Sequence, residues 1–233
     1  MINTFLARWN TLTRYQQLAI GAVALLILYG LATTNIFSPA RLLAVVAIIF
    51  VALPVHEFAH AAMAVRLGDK TPIWQGRYTL NPLVHIDPIG ALMIAFSGFG
   101  WAKPVQWNPN NVDTDVKTAS IMVALAGPVS NLLLAILTLI LVRVGLLSGG
   151  VLQSFAIWFG LINVMLFVFN LIPIPPLDGS HILFALWPNP NYQVRAMLTQ
   201  YGFLLLFAAI FLAGWIISIP VNIIWWLLRV IIL

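Results

Sequence analysis

Three residues are the first to suggest chemistry. His56, Glu57 and His60 stand within five positions, inside the otherwise uncharged apolar run 42–65. Glu57 is the sole glutamate of the chain, and the two histidines are half of its four. On a helix, positions i and i+4 lie about 40° apart and one turn along the axis, so both imidazoles can reach one ion. Glu57 is rotated about 100° from His56, close enough to address a water on that ion without ligating it. This is the H-E-x-x-H arrangement, which reads as two histidines on zinc and a glutamate general base. Zinc lowers the pKa of the water it holds to about 7, so hydroxide becomes available at neutral pH. An ionisable group within an apolar span is costly and by default marks function. The competing reading is a structural polar cluster in which the three side chains pair with one another.

A catalytic zinc site needs a third protein ligand and an open position. The chain has no cysteine, so that ligand must be His, Asp or Glu. Asp178 follows uncharged sequence reaching back to 144, and Gly179 after it lets the backbone pass close to a neighbour. A carboxylate at membrane depth calls for a cation; the same residue also reads as an Asp-Gly turn at a span end. His85 and Asp87 are the runners-up, and an Asp-Pro turn beside a surface histidine accounts for them better. His181 reads either as an outer partner of the site or as a histidine at a helix start. Asn170, at the break before Asp178, either contacts substrate and polarises a scissile carbonyl or caps the broken helix end. Ser130 and Asn131 read as interhelical hydrogen-bonding groups.

The elements that must hold these residues follow from composition. Hydrophobic residues make up 62% of the 233 and charged residues 7%. A soluble domain is about a quarter charged, so this chain could not cover its own surface in water. Mean hydropathy is +1.01. Uncharged runs at 15–40, 118–142, 144–177 and 196–228 are each long enough to cross a bilayer. A soluble enzyme, a disordered tail and a nucleic-acid-binding domain are excluded. The sequence pI near 10 reflects loop charges rather than a nucleic-acid partner.

The expected fold is an all-α polytopic membrane protein with five to six transmembrane helices. Spans are predicted at roughly 16–34, 42–66, 118–142, 150–171 and 200–219. The stretch 221–233 is a short sixth span or an interfacial helix. Proline and glycine punctuate the polar loop 67–117. Within it, 89–102 is apolar but too short to cross, which predicts a re-entrant or β-hairpin segment dipping into the membrane. Pro173, Pro175 and Pro176 predict extended chain after the fourth span. The chain reads as a single integral membrane domain over 1–233, with an N-terminal span in 1–39, a core over about 40–187 and the C-terminal span or spans in 188–233.

Basic residues set the orientation. With the N-terminus inside, the inner segments hold Arg8, Arg14, Arg66, Lys70, Arg77, Lys103, Lys117 and Arg195, against Arg41 and Arg143 outside. The positive-inside rule therefore predicts a cytoplasmic N-terminus in the plasma membrane. His60 lies about 9 Å and His56 about 15 Å from Arg66 along the helix, at 1.5 Å per residue. The metal would sit within the membrane nearer the cytoplasmic face, with water arriving along the 67–117 loop.

Taken in order, these segments resemble the site-2 protease family of intramembrane zinc metalloproteases. His56-Glu57-Phe58-Ala59-His60 matches its H-E-x-x-H helix, and Asn170 through Pro173 to Asp178-Gly179 matches its second motif. Asn81-Pro82 to Gly90, Gly100 to Val105, and Ala126-Gly127-Pro128 with Asn131 fit the segments around them. The resemblance covers roughly 40–187. It implies one zinc per chain held by His56, His60 and Asp178, Glu57 as base, and Asn170 positioning or polarising the substrate. It further implies a membrane-embedded strand element in 71–105 and a transmembrane helix of another protein as substrate. Ser180-His181 departs from the glycine and arginine of many members, and no PDZ or CBS module is recognised. The rival reading is an ion-coupled or metal transporter using broken helices, which should show paired interrupted spans in two related halves; none is found.

Overall fold

The computed structural model describes residues 13–18, 20–21, 24–25, 38–97, 100–187 and 191–233. Most of the first predicted span lies outside these residues. The Ser38 hydroxyl caps helix α1 (Pro39–Ala47) by accepting the Arg41 N–H at 3.2 Å, with Pro39 in the first turn where its missing N–H costs nothing. A π-helical turn, Ile48–Ala52, then leads into α2 (Leu53–Arg66). Pro54 supplies the reason. Its ring crowds the carbonyl four residues earlier, that of Phe50, and a widened turn relieves the clash. The stretch Pro39–Arg66 is one continuous span of 28 residues.

The 67–117 loop carries three short helices, α3 (Thr71–Trp74), α4 (Pro82–His85) and α5 (Pro88–Ser97), and a 3-10 turn at Pro109–Asn111. Among the described residues there is no strand, so the hairpin expectation gives way to short helices followed by an irregular run from 100 to 108. Asp87 caps α5 by accepting from Ile89 and Gly90 N–H groups at 3.0 and 2.8 Å. The irregular run folds back on α5 at two glycines: a Cβ on Gly90 would collide with the Trp101 carbonyl, and one on Gly100 with the Gly90 carbonyl.

Asp115 accepts the Thr118 N–H and starts α6 (Val116–Arg143); α7 (Gly150–Asn170) returns beside it. The chain from 171 to 177 is a succession of turns, with Ile174 N–H donating to Ile172 and Leu177 N–H to Ile174. This differs from the extended chain that the three prolines predict. Proline fixes φ near −65°, which suits turn positions as well as extended chain, and here the turns prevail. Helix α8 (Asp178–Leu186) follows, then α9 (Tyr192–Ile232).

Among the described residues, five stretches are long and apolar enough to cross a membrane: Pro39–Arg66, Val116–Arg143, Gly150–Asn170, Tyr192–Leu212 and Gly214–Ile232. The last two belong to the one helix α9, so the predicted span at 200–219 and the separate 221–233 element merge. One core cluster joins Ala44, Ile48 and Leu53 to Phe159, Ile162 and Leu166, locking the second span against α7. Others seat Phe207 of α9 on Met93, Leu206 on Phe169 and Leu177, and Val221 on Ala135 and Val164. Leucines 42, 43, 133, 137 and 212 point outward and stay exposed. A chain with such an apolar exterior is a multi-pass membrane protein whose outer surface lies in lipid.

Candidate metal centre

Helix α2 presents His56 and His60 on one face, their rings edge to face with centroids 4.7 Å apart. Their Nε2 atoms lie 3.1 Å apart. Each Nδ1 meets an oxygen: His56 Nδ1 lies 2.6 Å from Asn131 Oδ1, and His60 Nδ1 lies 2.7 Å from the Val123 carbonyl. An oxygen facing Nδ1 requires its hydrogen there, which leaves the lone pair on Nε2. Asp178, the first residue of α8, brings Oδ2 to 3.3 Å from His56 Nε2 and Oδ1 to 3.4 Å from His60 Nε2. Ligand atoms of all three residues lie within 4.8 Å of one another.

This donor set fits a divalent cation. With both rings neutral, two imidazole lone pairs and a carboxylate converge on one point. The buried Asp178 Oδ2 has no hydrogen-bond partner despite its closeness to His56. Three electron-rich groups in such contact repel unless a positive charge sits among them. Two nitrogens and a carboxylate oxygen are also the ligand chemistry of catalytic zinc.

Glycines admit the elements to this spacing. A Cβ on Gly127 of α6 would land on His60 Nε2 and within 2.7 Å of His56 Cε1. A Cβ on Gly179 would strike the carbonyls of Leu171 and Ile172, so the start of α8 could not reach the histidines over the preceding turns.

A cavity of about 430 Å³ opens beside the cluster, lined by Glu57, His60, Val105, Trp107, Asp178 and His181 among others. Glu57 Oε2 accepts the Val105 N–H at 2.9 Å, which holds the carboxylate against the 100–108 run. The remaining residues singled out in the sequence sort clearly. His181 lines the cavity and is exposed to it. Asn170 is half-buried, donates its amide to the Leu166 carbonyl of its own helix, and is not among the cavity-lining side chains. His85 is fully buried rather than on the surface, with Nε2 on the Thr79 carbonyl, and Asp87 is occupied as a helix cap. Asn131 makes the interhelical bonds expected of it and also holds a histidine. Sequence reasoning missed Asn163, which bonds Asn131, and the Val105 N–H; neither carries a spacing signal.

Spanning helices that bring together three residues able to hold a metal ion, beside a carboxylate, point to the class of membrane metalloenzymes. The comparisons specify which. The model of peptidase family M50 matches residues 144–209. YwhC of Bacillus subtilis (strain 168), a protein named as a zinc metalloprotease, is 42% identical over 67% of this chain and 74% of its own length. Rip2 of Mycolicibacterium smegmatis, likewise so named, is 36% identical over 66% of this chain and 61% of its own length. Rip2 of Mycobacterium tuberculosis (strain H37Rv) is 32% identical over 72% of this chain and 68% of its own. No solved structure matches the chain. The chain belongs to peptidase family M50 and is a membrane zinc metalloprotease.

Proposed function

We propose that the protein is an intramembrane endopeptidase, hydrolysing a peptide bond in or near the transmembrane helix of another membrane protein, in the manner of regulated intramembrane proteolysis. His56, His60 and Asp178 hold one zinc ion. When bound there, zinc acts as a Lewis acid and makes water nucleophilic at neutral pH. The observation that carries the reading is the convergence of α2 and the start of α8 on one point beside the chain's sole glutamate.

Glu57 accepts the proton of the attacking water and delivers it to the leaving amine, so the protein ends each cycle in its starting protonation state. A helical substrate hides its carbonyls in its own hydrogen bonds and must unwind locally. The irregular chain from 104 to 107, which lines the cavity, would pair with the unwound segment through backbone groups. Asn170 positions the substrate in this reading, and its amide must turn from Leu166 to do so. The working unit is a single membrane domain with its core over 40–187, lying in the plasma membrane with a cytoplasmic N-terminus and the metal nearer that face.

The test is Glu57→Gln, reconstituted in lipid with a single-span substrate. Removal of a general base costs about 10²- to 10⁴-fold in rate. The expected result is a loss of that order with one zinc per chain retained. Cleavage at the wild-type rate with zinc bound overturns the role of Glu57. Zinc flux across sealed vesicles in place of cleavage overturns the protease reading.

A further inference from the structure

The two histidines are oriented by different means. His60 leans on a main-chain carbonyl, that of Val123, which can only accept a hydrogen bond. His56 leans on a side-chain amide, that of Asn131, which has an accepting face and a donating face. Turned the other way, Asn131 would present its NH₂ to His56 Nδ1 and force the imidazole hydrogen onto Nε2, the atom aimed at Asp178 and His60. The choice between these states is made elsewhere in the bundle.

Asn131 Nδ2 donates to Asn163 Oδ1 at 3.0 Å, and Asn163 Nδ2 donates to the Phe159 carbonyl at 2.9 Å. Both asparagines are fully buried, at 0% exposure, so water cannot substitute for either partner. The end of the chain at Phe159 is fixed because a carbonyl only accepts. It takes the NH₂ of Asn163, which turns Oδ1 toward α6. That oxygen takes the NH₂ of Asn131, which turns its own Oδ1 toward α2. The last oxygen requires a hydrogen on His56 Nδ1, and a neutral imidazole has only one. Every amide orientation thus follows from one backbone group on α7.

We propose that Asn163, acting through Asn131, is a positioning residue that selects the His56 tautomer able to ligate the metal. It touches neither metal nor substrate. Its effect passes through three helices, α7 to α6 to α2, along a single file of hydrogen bonds. The inference rests on the zinc centre proposed above, and its test keeps the two apart.

The test uses the full chain in lipid nanodiscs, with zinc affinity measured by competition with a chromophoric chelator. Nitrogen-15 spectra of the zinc-free protein report which ring nitrogen of His56 carries the hydrogen. Loss of a partner that orients a metal ligand costs about 10- to 100-fold in affinity. Asn163→Leu, close in volume, is expected to lose that much and to place part of the His56 population in the Nε2–H form. Asn131→Leu is expected to lose at least as much, and the double variant no more than Asn131→Leu alone, because the two act in series. Asn163→Ala gives the same readings if Leu is not tolerated. Thr138→Val serves as control: it removes another, partly buried, side-chain hydrogen bond of α6, from Thr138 to the Leu134 carbonyl, and should leave both readings unchanged. Wild-type zinc affinity in Asn163→Leu, with His56 wholly in the Nδ1–H form, overturns the relay. A wild-type protein that binds no zinc overturns the metal centre itself.

Discussion

At Gly127, helix α6 approaches α2 so closely that both imidazoles rest against its backbone. Glycine in a helix interior costs about 1 kcal/mol relative to alanine, and Pro128 beside it adds a further penalty. The close approach is what those costs permit. Gly127→Ala is expected to displace the His60 ring and weaken zinc binding more than tenfold while the helices persist. Zinc stoichiometry alongside far-ultraviolet circular dichroism checks this, and full zinc occupancy in the variant would refute it. The same residues show what a sequence discloses at this scale. His56 and His60 were legible because helix geometry alone brings them to one face, with Glu57 about 100° around the axis beside them. Asp178 needed the chemistry of a buried carboxylate and the family motif, since its distance from the histidines in sequence carries no geometry. Asn163 was not legible at all: a lone amide in an apolar helix acquires its role only from the helix packed against it.

Among the elements, the 100–111 run depends on a clasp at the end of α2. Asp69 is fully buried and accepts the backbone N–H groups of Thr71 at 2.9 Å and Asn108 at 2.6 Å, the Thr71 hydroxyl at 2.5 Å and the Asn111 amide at 3.0 Å. Asp113 N–H adds a bond to the Leu67 carbonyl. Burial alone would push the Asp69 carboxyl up; the donors from Thr71, Asn108 and Asn111 outweigh it and hold the group below the ordinary carboxylate range. The clasp anchors Asn108, three residues from the Val105 N–H that holds Glu57. Hydrogen bonds to a charged group contribute roughly 1.5–3 kcal/mol each. Asp69→Ala is therefore expected to speed amide hydrogen exchange over 104–111 and lower kcat with zinc still bound; unchanged exchange would refute the clasp. The sign with pH follows from the depressed value. The contribution of Asp69 is complete above the unfolded pKa near 3.9 and is lost as the pH falls through the lower folded one. Exchange over 104–111 should thus stay slow at pH 5 and rise only below about pH 4. The three middle spans were legible from uncharged runs, within a few residues at each end. The π-helical turn at 48–52 and the turns at 171–177 were not, because proline restricts the backbone without dictating which permitted path it takes.

For the whole molecule the decisive element is α9. Its 41 residues extend about 60 Å at 1.5 Å per residue, twice the roughly 30 Å of a bilayer core. By hydropathy it holds two spans, yet a helix without a reversal crosses only once. Packing fixes its direction. Its early residues Phe203 and Phe207 sit with Trp101 and Met93 near the loop that follows α2, while Ile232 accepts a hydrogen bond from Arg143 at the far end of α6. The excess length falls at the start, where Tyr192 is 81% exposed and Arg195 lies over the Phe184 ring. Tyr192 and Leu233 should therefore lie on opposite sides of the membrane, with Tyr192 on the side of Lys103 and Lys117. The chain has no cysteine, so a single one placed at either position is a clean probe. A membrane-impermeant maleimide applied to sealed spheroplasts is expected to label Leu233→Cys and spare Tyr192→Cys until the membrane is opened, given a cytoplasmic 67–117 loop. Reversed labelling would invert the orientation while keeping the single crossing. Equal accessibility of the two from one side would mean that α9 turns back within the membrane. The Val221 and Trp225 contacts with Ala135 and Val164, at mid-length of α6 and α7, argue against such a reversal.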